Sequence, residues 1–496
     1  MTSGATTTRH RPHLAVLGGG FAGMAAALWL AARGARVTLV EREPRLGGKA
    51  GEWRTGAYRF DTGPSVLTLP EVVRTTFEGA GVPCPVTFRP AEPLCRYVYP
   101  DGRVWDVHRD LDATLAGLSS AEGEAYRRAL AKARALYEAA APVFVHGPAP
   151  GPLRLLRYGL RHGLAAAPGR SLPGLLRTLG ADGPVLGPFF QRFATYVGAD
   201  PRRAPAVLHN VAWVELGLGV YHPVGGMHGV VRGLHAALLE LGVELRLGEA
   251  VERLVVRDGA VREVVTERGP LACDGAVAAV DRDVVLRWLG RPRGRARPAS
   301  LSGLVLLSAL TERDPRLAHH TILFPERYGD EFDAIQAGEH PADPTLYLNV
   351  SALSEERDAP PAAENRFVMA NAPALPLADD PGRSAARLEA GREALLRSLQ
   401  RRGFAWRAQQ VVAQRWLDPS DFAAFGDRGR LYGAAPHGLL GALRPAPRLR
   451  GLPGLALAGG TVHPGGGVPL ALLSGRAAAR ALGDAMGLPL PASPAP

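Results

Sequence analysis

Three glycines and one acid carry the clearest chemical signature in this chain. Gly18-x-Gly20-x-x-Gly23 follows an apolar run at 14–17, and Glu41 ends a second apolar run at 37–40. The small and apolar residues between them read as a helix. In a strand–turn–helix of this spacing, Gly18 permits the tight turn, Gly20 lets backbone approach a pyrophosphate, and Gly23 lets helix and strand pack closely. The pyrophosphate rests on unpaired N–H groups at the positive helix end. Glu41 stands where a ribose hydroxyl would donate to it. Glycines also mark ordinary turns, but here strand, helix and acid all fall where a dinucleotide needs them. Taken by itself, the unit at 13–48 suits NAD and FAD equally.

Similar residues recur downstream. Gly47-Gly48-Lys49 continues the nucleotide turn, with Lys49 placed either to reach a phosphate or to carry its charge to solvent. Asp61-Thr62-Gly63-Pro64, followed by Ser65-Val66, either brings bare backbone against a flat ligand or forms a plain surface loop. Near the far end, apolar 455–458 runs into Gly459-Gly460-Thr461, then His463-Pro464-Gly465-Gly466-Gly467-Val468-Pro469 and a helix over 470–487. This second glycine-rich helix start suits an anion or a carbonyl. NAD does not require it, whereas FAD has a pyrophosphate for the first site and a ribityl–isoalloxazine half for the second. The pair therefore favours FAD.

The elements that must position these motifs belong to a globular chain. Its 496 residues are enough for two or three domains. Hydrophobic residues make up 46% and charged residues 21%, which excludes a disordered protein. The net charge is +11, and among 58 basic residues Lys49 and Lys132 are the lysines. A basic balance favours an acidic surface, either nucleic acid or anionic lipid. No nucleic-acid motif is visible and aromatics are 6%, so lipid is preferred. Cys84, Cys95 and Cys273 lack metal or redox spacing and read as small buried groups in a reducing cytosol. No metal is expected. The first twelve residues lack the apolar stretch of a signal peptide and, like 489–496, read as disordered. No apolar run reaches the length of about 18 residues that spans a bilayer.

Along the chain, alternation at 96–107 around Asp101-Gly102 predicts a hairpin. Helix formers fill 121–141, a surface helix, and 229–241, after Val224-Gly225-Gly226-Met227. Strands are expected at 243–247, 251–256 and 261–265, with Asp258-Gly259 as a hairpin turn, and at 276–280, ended by Asp281. Strands alternating with helices predict an α/β sheet. From about 302 to 417, strand-like runs at 304–307, 345–350 and 367–370 with a helix over 384–401 suggest an antiparallel α+β domain.

Residues 151–180 stand apart, with five arginines (154, 157, 161, 170 and 177) and no acid. Leu153, Leu156, Leu160 and Leu164 recur at helical spacing, and Leu172, Leu175, Leu176 and Leu179 repeat the pattern. This describes either a helix lying in a membrane interface or a surface helix whose leucines face the core.

The chain resembles the bacterial-type phytoene desaturase family, FAD-dependent carotenoid oxidoreductases related in fold to amine oxidases. The matching residues are Gly18–Gly23 with Glu41, 45–49, 60–66, Tyr221-His222-Pro223-Val224-Gly225-Gly226-Met227 and 459–475, so the similarity runs from about 14 to 487. His463-Pro464-Gly465 with Gly467-Val468-Pro469 is its most specific part. The runs 63–69 and 193–198 are similar to desaturases acting on 1-hydroxylated acyclic carotenoids at C-3,4, with phytoene desaturation the alternative.

That resemblance implies a Rossmann-like FAD-binding α/β fold, an α+β substrate domain and a helical, membrane-facing lobe. The FAD-binding domain would comprise 12–70, 223–295 and 441–488, the substrate domain 71–115 and 296–440, and the lobe 116–222. Gly18, Gly20, Phe21, Ala22, Gly23, Glu41 and Arg42 would hold the ADP half, with Val251 beside the adenine. Gly48, Lys49, Gly63, Pro64, Ser65, Val66, Gly459, Gly460, Gly466, Gly467, Val468 and Pro469 would lie along the flavin. The substrate would be a lipophilic carotenoid taken at a membrane surface, and the electron acceptor oxygen or a quinone. The protein would be cytoplasmic and peripherally membrane-bound.

Removing two hydrogens from adjacent carbons needs a hydride acceptor, which is the flavin's chemistry, and an outlet for a proton. Asp61, His222 and His463 are candidate acceptors, though a turn-fixing role for Asp61 and structural roles for the histidines are favoured, and no catalytic side chain is assigned. A redox-neutral carotenoid isomerase, a soluble amine oxidase and a non-catalytic flavin or carotenoid carrier are the competing readings.

Overall fold

A computed structural model describes residues 11–163, 169–292, 298–376, 380–438, 441 and 443–488. Leu164, 1–10 and 489–496, for which expectations were stated, lie outside the described residues.

The first strand, His13–Leu17, is the centre from which the nucleotide sheet is built. Arg36–Glu41 and Gly275–Ala278 flank it, both parallel. Outward from these come Glu244–Leu247 on one side and Leu452–Leu457 on the other, also parallel. The hairpin Val251–Arg257/Ala260–Thr266 completes the path, joined at Ala260 and Gly454. Parallel strands covered on both faces need unbroken apolar runs, and Leu14, Ala15, Val16 and Leu17 are all fully buried. Asp258 and Gly259 both have positive φ, 52° and 71°, as a two-residue turn matching strand twist requires. Helix Phe21–Ala32 crosses to the C-terminal helix Val468–Ala485. Their approach is so close that a Cβ on Gly475 would lie 2.1 Å from the Ala22 carbonyl oxygen.

A second sheet runs in the order Val411–Leu417, Ser302–Leu310, Glu364–Ala372, Leu346–Val350, His320–Leu323, Cys95–Val98 and Val104–Val107. It is antiparallel except where His320–Leu323 runs parallel to Cys95–Val98, a mixed pairing that the expected antiparallel domain lacked. All nine residues of Ser302–Leu310 are buried, because this strand sits inside the sheet with both faces covered.

The third part is helical. Ser120–Phe144 is held at its start by a capping box in which Ser119 and Glu122 exchange hydrogen bonds. Leu172–Leu179, Leu186–Gln191 and Asn210–Leu216 follow, and between them Phe189, Phe190 and Phe193 pack with Tyr97, Trp105 and Tyr126. The two leucine quartets of 151–180 have different fates. Leu172, Leu175 and Leu176 are buried and Leu179 is half-buried, so that half is core-facing. Helix Pro152–His162 buries none of its residues, and Leu153, Leu156 and Leu160 are 61%, 58% and 81% exposed. Cys84 is half-buried rather than buried. Among the described residues no helix is long and apolar enough to cross a membrane, and no cluster of ligands could hold a metal.

Candidate active site

Two uncapped helix starts face one cleft. Helix Phe21–Ala32 begins at Gly20 with no side-chain cap and no acid in its first turn. Helix Val468–Ala485 begins at Gly467 in the same condition. Both leave first-turn N–H groups for an anion. The cleft they share, about 800 Å³, brings together Gly18, Gly20, Phe21, Ala22, Glu41, Arg42, Gly48, Lys49, Gly63, Pro64, Val251, Gly459, Gly460, Gly466, Gly467 and Val468. Gly23 is not on its wall: a Cβ there would lie 1.8 Å from the Gly18 carbonyl oxygen, so it serves helix–strand approach. Gly18 needs its glycine for a different reason, a φ of +103°. At Gly20 a Cβ would meet nothing within 4 Å, so the cleft is open beside this backbone.

Glu41 lies at the C-terminal end of its strand, where ligands of open parallel sheets bind. Its carboxylate accepts from Gly19 N at 2.5 Å and Glu43 N at 2.9 Å, which fixes its orientation toward the cleft it lines. Lys49 lines the cleft and does not carry its charge to solvent. Its Nζ donates to the Leu431 carbonyl at 2.7 Å, beside Asp281 and Arg430, and burial lowers its pKa. Asp281, which ends the strand Gly275–Ala278 by three residues, also lines the cleft and accepts from Asp427 N at 2.8 Å. Its position after a parallel strand was the signal for it. The cleft's far wall, 422–428, carried no recognisable motif.

A second cavity, about 950 Å³, adjoins the first. Ser65, Val66 and Pro469 line it rather than the cleft, while Gly63, Pro64, Phe367, Met369, Leu431, Tyr432 and Gly466–Val468 line both. A Cβ on Gly63 would lie 1.8 Å from the Lys49 carbonyl oxygen, so this glycine permits two backbone segments to cross. Phe144, Leu155, Tyr158 and Ile322 make much of the cavity wall apolar, and helix Pro152–His162 closes one side through Leu155, Tyr158 and Gly159. Against the wall sits a buried charge pair that sequence reading missed. Arg192 is bound to Glu215, Tyr97 and Tyr196, and its guanidinium lies over the rings of Phe193 and Tyr97.

The three candidate proton acceptors separate. Asp61 accepts from Met227 N at 3.0 Å and His228 N at 3.1 Å, capping helix Gly226–Glu240, and pairs with Arg59 at 3.1 Å. His222 is buried against His319 and lines neither cavity. His463 lines the apolar cavity, but its Nε2 is paired with the Gly147 carbonyl at 2.9 Å.

A dinucleotide cleft with two helix starts, sharing a wall with an apolar cavity, is the site of an FAD-dependent oxidoreductase. Residues 21–322 match the model of the flavin containing amine oxidoreductase family. A phytoene dehydrogenase from Streptomyces griseus is 33% identical over 481 residues, 94% of each chain. A hydroxyneurosporene desaturase from Cereibacter sphaeroides is 34% identical, over 95% of this chain and 97% of that one. Cyclohexylamine oxidase from Brevibacterium oxydans, a solved structure, shares the fold with a TM-score of 0.64 at 17% identity, covering 96% of this chain and 100% of that one. The chain belongs to the flavin-containing amine oxidoreductases and, within them, to the phytoene desaturase group. It is an oxidoreductase acting on CH–CH groups, with FAD as cofactor.

Proposed function

We propose that this protein is a carotenoid desaturase that oxidises an acyclic 1-hydroxycarotenoid at C-3,4. The observation that carries this reading is the shared wall: a large apolar cavity meets the dinucleotide cleft at Phe367, Met369 and Tyr432. The hydroxyneurosporene desaturase relative supports a hydroxylated substrate, and the phytoene dehydrogenase relative, of nearly equal identity, supports the second reading, phytoene desaturation. When bound, FAD supplies a hydride acceptor at N5. The segments 12–70, 223–295 and 441–488 form the domain that holds it. Gly18 and Gly20 at the first helix start would hold its ADP half, with Glu41 at the ribose and Val251 at the adenine. Gly63–Val66 and Gly466–Pro469 would lie along its flavin half beside the cavity, whose apolar walls exclude water. Electrons pass on to oxygen or a quinone.

The exposed leucines of helix Pro152–His162, interleaved with Arg157 and Arg161, support docking on an anionic membrane surface. The same helix borders the cavity, so a bilayer-dissolved substrate enters beside it. The test is reconstitution with FAD, anionic liposomes and a 1-hydroxycarotenoid. A red-shifted product two mass units lighter is expected. A product of unchanged mass would make the protein an isomerase, and peroxide with ammonia released from amines would make it an amine oxidase.

A further inference from the structure

One end of the cavity floor is polar where its surroundings are apolar. Strands Leu346–Val350 and Glu364–Ala372 pair antiparallel, Leu346 opposite Ala370 and Tyr347 opposite Met369. Continuing that register by one step sets Thr345 across from Asn371, and both line the cavity. Beneath them the two meet on one carboxylate. Thr345 donates to Glu331 Oε2 twice, from Oγ1 at 2.5 Å and from its backbone N at 3.1 Å. Asn371 Nδ2 donates to Glu331 Oε1 at 2.8 Å. Glu331, on helix Tyr328–Gln336, is fully buried.

This arrangement fixes the hydrogen-bond polarity that the cavity presents. The Asn371 amide nitrogen faces the carboxylate, so its Oδ1 faces away from it, and Oδ1 accepts no hydrogen bond from the described residues. The hydroxyl proton of Thr345 is likewise committed to Glu331, which leaves that oxygen lone pairs. The pair offers two acceptor oxygens, with the second N–H of the Asn371 amide as the one side-chain donor left beside them. A substrate hydroxyl can donate its one proton to Asn371 Oδ1 or Thr345 Oγ1. An ether oxygen can only accept and a methyl group does neither, so both leave the acceptors dry at a cost in affinity.

The position of the pair matters as much as its polarity. Phe367 and Met369 line both cavities, and Asn371 lies on the same strand face, two residues beyond Met369. At roughly 3.3 Å per residue, that is about 7 Å from the shared wall. In a 1-hydroxylated chain the C3–C4 bond begins two carbons from the oxygen-bearing carbon. An end group held at Asn371 thus leaves that bond near the wall shared with the cofactor cleft.

Resting on the carotenoid reading above, we propose that Asn371 and Thr345, positioned by Glu331, form a subsite that accepts a hydrogen bond from the substrate hydroxyl. It selects alcohol-bearing end groups over ethers and hydrocarbons. The test uses the purified, FAD-loaded protein with a 1-hydroxycarotenoid, its 1-methoxy ether and the parent hydrocarbon. Binding is read from quenching of tryptophan fluorescence, and turnover from product mass. The wild type should bind the alcohol about tenfold more tightly than the ether, the effect of one hydrogen bond in a dry site. Asn371→Leu and Thr345→Val should each cut that ratio to about twofold. Glu331→Gln can donate to Asn371 Oδ1 and turn Nδ2 toward the cavity, so it should shift preference toward the ether, which a merely structural role would not do. Circular dichroism and bound-flavin absorbance check the fold of each variant. Equal binding of alcohol and ether by the wild type overturns the subsite whether or not any variant folds. So does a ratio that survives both Asn371→Leu and Thr345→Val. If none of the three compounds binds or reacts, the carotenoid reading itself fails.

Discussion

Lys49 Nζ donates to the carbonyl oxygen of Leu431 at 2.7 Å, tying the nucleotide turn to a residue 382 positions further along. Leu431 and Tyr432 line both the cleft and the apolar cavity, so this bond holds the shared wall against the cofactor side. Lys49→Met leaves the buried carbonyl without its charged donor, a loss of about 1.5–3 kcal/mol locally. The dissociation constant for FAD, titrated onto apoprotein by flavin fluorescence, should rise about tenfold or more. An unchanged constant would show that the wall stands without Lys49.

Gly20 and Gly23 should fail in different ways. A valine at Gly20 projects into open space at the helix start, so Gly20→Val should fold yet purify without yellow colour. Gly23→Ala puts a methyl 1.8 Å from the Gly18 carbonyl and must displace helix from strand. It should express poorly or unfold at lower denaturant. Soluble yellow Gly20→Val protein would contradict the assignment of that space.

Flotation with anionic liposomes tests the exposed helix. Replacing Leu153, Leu156 and Leu160 with Ser removes apolar area that is already in water, so stability should hold while flotation is lost. Changing Arg157 and Arg161 to Glu should abolish flotation on anionic but not alter folding. Flotation that persists in both variants would remove this helix from the membrane contact.

Acid should weaken the fold before carboxylates titrate. Burial pushes His209 down to about 4, His320 to about 3 and His340 to about 4. They stay neutral in the fold while the unfolded chain takes protons below about 6.5, so their stability is present above that pH and is lost as pH falls. Glu331, pushed up to about 7 by burial, acts in the opposite sense. Between about 7 and 4.5 the fold keeps a proton that the unfolded chain releases, so its term gains as pH falls. His222 and His319 are lowered by burial as well, and Glu364 joins Glu331 on the other side; the histidines outnumber the carboxyls, and the apparent urea midpoint should be lower at pH 5 than at pH 7. His209→Gln can keep the bond to the Ala129 carbonyl without titrating, and it should narrow the difference.

Protonation of Glu331 should also relax the polarity of the Asn371–Thr345 pair. The charged group facing it is Arg402, itself held by Asp343 at 2.7 Å, and on its own helix Tyr328 lies within electrostatic reach, with Asp330 and Asp333 the helix's other acids. The alcohol-to-ether binding ratio should therefore rise as pH increases from 6 to 8. A flat ratio would show that the carboxylate does not set the amide's orientation.

Local signals made the nucleotide half legible. Gly18, Gly23, Asp258-Gly259 and Gly467 are each demanded by a backbone turn or a close approach within a few residues, and such demands are written in residue type. What stayed hidden is non-local. Nothing near Lys49 points to Leu431, and nothing near Glu331 distinguishes it from other helical acids until strand register delivers Thr345 and Asn371 to it. Arg192 and Glu215 are likewise joined by tertiary packing, 23 residues apart. The leucine stripes at 153–160 and 172–179 look alike in sequence, yet one faces water and the other the core. Periodicity names a face, and only the neighbours decide what covers it.

The place of Leu452–Leu457 bears on how the protein is made. This late strand slides between Ala260–Thr266 and Gly275–Ala278, which are close in sequence but not paired with each other along the sheet path. A ribosome adding roughly 5–20 residues per second needs about 20 to 90 s to reach the C-terminal helix start at Val468. From the emergence of Gly275–Ala278 until Leu452–Leu457 follows, the nascent sheet has an open slot edged by apolar strands, and a nucleotide would find one helix start instead of two. A cleft with both helix starts therefore exists only once this strand and helix Val468–Ala485 have joined the sheet.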